Sequence, residues 1–263
     1  METVATFSFS NSSFRAKKRA ALQDDRELCV VQNGSQQILK ASANGNVKEF
    51  KQILSSDPSM LFVRDAKARG VAHHACFKNH LNILKTIQEL QEDCLEELDQ
   101  DGNSPLHIAV ISEAVDSINF LMRHAPRTAG ILNKKNQSAV HLAAELGKAT
   151  SLKTFAKHSE ALDVNLSGDR GRTALHLACI YNNVECVKIL VEDMRASPRR
   201  ACSLSYLPIH EGAKHGSSKA LETLLQSGAK RGCPTDEMIN FPDNEGNSAL
   251  HFAVQCGSRE VTL

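Results

Sequence analysis

The 263-residue chain has no tryptophan and only two tyrosines, which fits a core built mainly from Leu, Ile, Val and Ala. Its net charge is +1, which leaves no global electrostatic case for binding nucleic acid. No apolar run approaches the ~18 residues of a membrane-spanning helix, so nothing between Met1 and Leu263 is expected to cross a bilayer. Eight cysteines occur without a single C-x-x-C pair, and Cys76 and Cys179, each three residues after a histidine, read as reduced core residues of a cytosolic protein. Four Asn-x-Ser sequons, at Asn11, Asn33, Asn136 and Asn165, stand without a secretory signal and read as chance matches. No nucleophile, base and orienting group can be assembled, so catalysis is not expected. No cofactor is implied.

One feature recurs. Histidine appears at His73, His107, His141, His176, His210 and His251, in steps of 34, 34, 35, 34 and 41 residues. One further step back falls on Leu39, where the pattern persists without the ring. A fixed period of this length marks a solenoid, one supersecondary unit stacked many times. The residue before each histidine is apolar (Ala72, Leu106, Val140, Leu175, Ile209, Leu250), and two residues after it stands Ala or Gly. Positions 8, 11 and 14 beyond it are mostly apolar, as in Leu81, Leu84 and Ile87 or Val184, Val187 and Leu190. Those spacings share one helical face. Each unit is thus a short helix with a flat small-residue seam, a turn, and a second helix with a bulkier stripe.

Punctuation agrees. Ser104, Ser138, Thr173 and Ser248 sit three residues before their histidine, where a hydroxyl can cap free backbone N–H groups. Pro105 follows Ser104, where a missing N–H costs nothing. Turns rich in Asp, Gly and Asn lie upstream, and Asn44-Gly45, Asn182-Asn183, His215-Gly216 and Cys256-Gly257 suit the left-handed backbone that closes a helix. Asp169 to Cys179 (DRGRTALHLAC) and Gly102 to Ala109 (GNSPLHIA) resemble the ankyrin-repeat signature. The expected fold is an all-α ankyrin solenoid of about seven repeats, the last incomplete, over residues 35–263. Residues 1–34 are Ser- and Phe-rich and then basic (Arg15, Lys17, Lys18, Arg19), and read as a solvated tail. Arg259 and Thr262 occupy apolar positions of the seventh unit, so the sequence reads as a piece of something longer.

Eleven histidines invite a metal hypothesis. Stacked helices lie about 8–10 Å apart, whereas zinc ligands converge to about 2.0–2.3 Å, so equivalent histidines of successive repeats cannot share an ion. The six periodic rings read instead as structural groups near the capping residue and the adjacent turn. His80, His124, His158 and His215 lie near helix ends and read as solvent-facing. The acidic run from Gln91 to Asp101 does not fit a calcium loop and reads as a solvated linker. Residues that break the repeat are candidate partner-facing groups: Arg64, Arg69, Lys134, Lys135, Arg170, Arg172, Arg199 and Arg200. Their charge suggests an acidic partner or a phosphoinositide headgroup.

The step from His210 to His251 carries the insertion Lys230 to Phe241, ending Ile239-Asn240-Phe241. With Leu207 to Lys214 (LPIHEGAK) and Arg172 to Leu190, it resembles the ankyrin subfamily of transient receptor potential channels, in its arthropod form. That resemblance covers about Gln37 to Leu263. It implies the cytosolic part of a tetrameric, calcium-permeable, non-selective cation channel of the plasma membrane that senses chemicals or temperature. The region would bind partners, or the rest of its subunit, and couple to gating. In that family the electrophile-reactive cysteines follow the array, so none of the eight here inherits that role. A soluble ankyrin adaptor is the alternative.

Overall fold

The structure, a computed structural model, describes residues 33–257. The tail expected over 1–34 therefore lies outside the described residues except for its last two, as do Cys29, Arg259, Thr262 and Leu263. Among the described residues the chain is helical, without strands.

Every repeat begins with an inner helix of seven or eight residues, longer only in the first: α1 (Asn33–Asn44), α3 (Val71–Phe77), α5 (Pro105–Ile111), α7 (Ala139–Glu145), α9 (Ala174–Ile180), α11 (Pro208–Lys214) and α14 (Ala249–Cys256). The outer helices are α2 (Val47–Ser56), α4 (Leu81–Leu90), α6 (Val115–His124), α8 (Ala149–Ala156), α10 (Val184–Lys188) and α12 (Ser218–Lys230). Inner helices touch inner helices and outer helices touch outer helices along the stack. Ala41, Ala75, Ala109, Ala143, Ala178 and Ala253 are fully buried on the inner seam, where a side chain no larger than a methyl lets neighbouring helices close up. Where the sixth unit has Gly212, a Cβ would come within 2.5 Å of a Leu221 methyl. The outer stripe is buried as its spacing predicts, with Phe50, Leu84, Ile118, Leu152, Phe155, Val187 and Leu190 inaccessible.

Two backbone positions per repeat are left-handed. Five residues before the histidine stand Ala68, Gly102, Asn136, Gly171, Ser205 and Gly246, and six after it stand Asn79, Glu113, Gly147, Asn182, Gly216 and Gly257. A left-handed conformation crowds Cβ against the carbonyl of every L-residue, less so for Asn, and not for Gly. Glu113, at φ 52°, is the ill-suited member of its row. Its exposed ion pair with Lys148 at 3.2 Å contributes little. Glu113→Gly is therefore expected to stabilise the array by about 1 kcal/mol. A urea-unfolding midpoint that stays put or falls would contradict this.

Two departures from the periodic pattern stand out, and one expectation is overturned. Helix α10 gives way to a π-turn, Ile189–Asp193, which still buries Ile189, Leu190 and Val191. The insertion after α12 forms a further helix, α13 (Thr235–Asn240), which touches both α12 and α14 and buries Met238. The acidic run is not a solvated linker: Glu92–Leu95 makes a 3-10 turn that buries Cys94 and Leu95. Glu92 and Asp93 stay exposed while the two apolar side chains after them anchor the turn, an alternation too short to register as a helix.

Candidate functional site

The periodic histidines line the end of the stack where tight turns, here called fingers, precede each inner helix from the second onward. The fingers span 65–69, 99–103, 133–137, 168–172, 202–206 and 243–247, each closed by a backbone bond from its first N–H to its last carbonyl. In four of them one side chain, Asp65, Asp99, Asn133 or Asp243, accepts two backbone N–H groups of its own turn. Neighbouring fingers are tied by Gln100 N–H to Lys67 O at 2.8 Å, Lys134 N–H to Asp101 O at 2.9 Å and Ser203 N–H to Arg170 O at 2.9 Å.

The first four rings span from their own helix start to the next finger, and His210 reaches a residue just ahead of it. Nε2 lies 3.0 Å from the carbonyl oxygen of Asn103 for His73, Gln137 for His107, Arg172 for His141 and Tyr206 for His176. For His210 it is 2.9 Å from Phe241 O. A carbonyl only accepts, so the proton sits on Nε2. Nδ1 then carries the lone pair and accepts the backbone N–H three residues upstream: Gly70 at 3.2 Å, Ser104 at 3.1 Å, Ser138 at 3.3 Å, Thr173 at 3.1 Å and Leu207 at 2.9 Å. The ring, more than the hydroxyl, satisfies the free donor at the helix start. The capping expected of the hydroxyls reduces to one long bond, His141 N–H to Ser138 Oγ at 3.4 Å. In Ser104, Ser138 and Thr173 the hydroxyl turns to Nδ1, at 2.8–2.9 Å, and donates to it.

With both nitrogens engaged, these five rings have no lone pair left for a metal. Among the described residues no three His, Cys, Asp or Glu side chains gather as a metal site. Burial holds His73 and His176 down to about 4 and lowers His107, His141 and His210 as well. His251 makes only the local part of the pattern, with Ser248 N–H and Oγ both 3.0 Å from Nδ1, and it is exposed. Gly168 shows how closely a ring approaches the next finger, since a Cβ there would stand 2.9 Å from His141 Nε2.

A second row of ties runs along the opposite end of the stack, and sequence reading missed it. In three repeats the residue seven positions beyond the histidine reaches back to the preceding inner helix: His80 Nε2 to Ala43 O at 2.9 Å, Asn183 Nδ2 to Ala144 O at 2.7 Å, Ser217 Oγ to Ile180 O at 3.2 Å. Its chemistry varies from repeat to repeat, so no period betrays it. His80 is therefore a structural tie and not a solvent-facing ring. His158 is half-buried too, with Nε2 3.1 Å from Asn119 Oδ1, and His124 stacks on Phe120 at 4.4 Å. His215 is exposed.

The eight basic candidates do not form one patch. Arg64 pairs with Glu97 at 3.3 Å and donates to Leu98 O. Arg69 grips Asp65 at 2.7 Å and is half-buried. Arg172 binds Glu211 of the next inner helix at 2.7 Å, with the carboxylate buried and the guanidinium largely covered. Arg199 pairs with Glu237 of α13. Lys134, Lys135, Arg170 and Arg200 project from exposed positions. Arg69 and Arg172 are thus not the free surface charges that their place in the sequence suggested. Their charge is satisfied inside the array.

Burial pushes the Cys76 and Cys179 thiols well above the ordinary range and the Cys186 thiol up to about 11, so none of the three is a thiolate near neutral pH. Cys256 is exposed and Cys233 half-buried. No helix among the described residues is long and apolar enough to cross a membrane.

The family model for ankyrin repeats matches residues 38–131 and 125–202. A solved human ASB11 ankyrin repeat domain superposes with a TM-score of 0.60 over 82% of this chain and 90% of its own, at 21% identity, which speaks to the fold alone. The transient receptor potential cation channel subfamily A member 1 of Drosophila melanogaster is 45% identical over 83% of this chain. The Homo sapiens channel of the same name is 31% identical over 72%. The chain spans 18% and 17% of the lengths of these two relatives. By the repeats it shares with the family model, the chain belongs to the ankyrin-repeat family, as a region similar to that of the A-subfamily transient receptor potential channels.

Proposed function

We propose that the chain is the cytosolic ankyrin-repeat region of a calcium-permeable, non-selective cation channel subunit, serving chemical or thermal sensing at the plasma membrane. The observation that carries this reading is the 45% identity to the Drosophila channel over 83% of the chain. The region's own part is mechanical and recognitive. Among the described residues the helices of each repeat pack on those of its neighbours, so a displacement at one end is passed along the stack repeat by repeat. The two rows of ties, one at each end of the helices, resist splaying of that stack. Partners would meet the exposed finger cations Lys134, Lys135 and Arg170, and Arg200 just ahead of its finger. The pore and a homotetrameric arrangement belong to the proposed whole subunit.

A chimera tests the proposal. The matching segment of the Drosophila channel is replaced by residues 37–257 and calcium-permeable currents are recorded. Currents that respond to an electrophilic irritant or to warming are expected. A chimera that reaches the cell surface yet stays silent, beside a responsive parent, would argue for a soluble ankyrin adaptor instead.

A further inference from the structure

The stretch between α10 and α11 carries a feature that the channel reading does not use. Arg199-Arg200-Ala201-Cys202-Ser203-Leu204 places arginines four and three residues before a serine and an apolar residue after it. Arginine three residues before a hydroxyl is the pattern that arginine-directed protein kinases select. An acidic subsite pairs with the guanidinium while the hydroxyl meets the γ-phosphate of ATP. Among the described residues only Thr173, after Arg170, and Ser203, after Arg200, have arginine at that spacing. Thr173 is buried, and its hydroxyl is engaged with His176 Nδ1. Ser203 is exposed, and so are Arg199, Arg200, Ala201 and Leu204 around it.

This finger is also lightly braced. Cys202 stands where Asp65, Asp99, Asn133 and Asp243 hold two N–H groups of their own fingers, and a thiol is a poor acceptor for them. Apart from the His176 ring on Tyr206 O, the turn rests on three backbone bonds: Cys202 N–H to Tyr206 O, Ser205 N–H to Cys202 O, and Ser203 N–H to Arg170 O. Ser205 is left-handed at φ 59°, an unfavourable conformation for serine. Local opening of such a turn requires far less than unfolding the array, and it presents residues 199–204 as the extended strand a kinase binds.

We propose that Ser203 is a phosphorylation site for an arginine-directed serine/threonine kinase. The γ-phosphoryl group of ATP passes to Ser203 Oγ. The new O–P bond forms as the bond from the γ-phosphorus to the bridging oxygen breaks, ADP leaves, and the hydroxyl proton goes to the kinase's base. The phosphate brings a charge of about −1.5 to −2 to the tip of the finger. Ser203 already bonds the backbone of Arg170, whose own ion pair with Asp169 is long, at 3.8 Å, and exposed. The phosphoserine pairs with the Arg170 guanidinium and so pins one finger to the next.

The whole chain is incubated with the catalytic domain of calmodulin-dependent protein kinase II and MgATP, and phosphate is mapped by mass spectrometry. Incorporation at Ser203 is expected, abolished in Ser203→Ala and slowed at least tenfold in Arg200→Ala, with Thr173 untouched. Circular dichroism melts of both variants serve to confirm an unchanged fold. Hydrogen exchange at residues 169–172 is expected to slow several-fold on phosphorylation, and not in Arg170→Ala. An unmodified Ser203, phosphate only at Thr262 (which follows Arg259 at the same spacing), or a rate indifferent to Arg200→Ala would overturn the site. Unaltered exchange in the phosphorylated protein would overturn the pinning.

Discussion

Acidification from pH 7 to pH 5 is expected to destabilise the array by about 4 kcal/mol through His73 and His176 alone, at about 2 kcal/mol each. Both are buried and held down to about 4, against an ordinary value of 6.5. Between those values the unfolded chain binds a proton that the folded chain refuses. Stability therefore rises with pH across that window, is complete above about 6.5, and is lost as pH falls towards 4. The geometry gives the same sign, because a proton on Nδ1 would confront the backbone N–H it now accepts. His107, His141 and His210 are lowered for the same first cause and add to the effect. The neighbouring charges are few. Asp99, Arg64 and His74 face His73, Glu211, Arg172 and His141 face His176, and Glu211 and Asp243 face His210. Urea unfolding at stepped pH checks this, and a stability that is flat from pH 7 to pH 5 would contradict it.

Arg172→Ala is expected to cost about 3–5 kcal/mol, because it leaves Glu211 as an uncompensated buried charge. Glu211 is 1% exposed and its second oxygen, Oε2, already lacks a hydrogen bond. The pair joins the finger of the fifth repeat to the inner helix of the sixth, so the loss falls on one interface between repeats. Replacing both members by apolar residues of similar volume, as in Arg172→Met with Glu211→Leu, should recover most of the stability, since removing both charges removes the desolvation problem too. Thermal melts of the two single variants and the double give the cycle. A double variant as unstable as the sum of the singles would show that the ion pair is not what couples these residues.

The fold was legible because its cause repeats. A small residue beside every histidine and an apolar stripe at fixed offsets are demanded by packing, and packing is the same in each unit. The rings were legible as structural, yet their part at the helix start was assigned to the hydroxyls. Gly70 and Leu207, which have no hydroxyl, keep the same bond to Nδ1. The ties of His80, Asn183 and Ser217 were illegible because any side chain with a donor of suitable reach serves, so residue type carries no period. Arg69 and Arg172 looked free because their carboxylate partners are set by the fold: Asp65 across its own finger, Glu211 a whole repeat away. The π-turn after α10 has no signature in an apolar run that suits an α-helix equally well.

Nitrogen-15 NMR of the histidine rings over a pH titration tests the central claim most directly, that five neutral rings tie each repeat to the next. His73, His107, His141, His176 and His210 should show a protonated Nε2 and a bare Nδ1, should titrate below the ordinary imidazole value, and should be unmoved by zinc. Rings that carry the proton on Nδ1, that titrate near 6.5, or that shift on adding zinc would show that the histidine period marks something other than the joints of the stack.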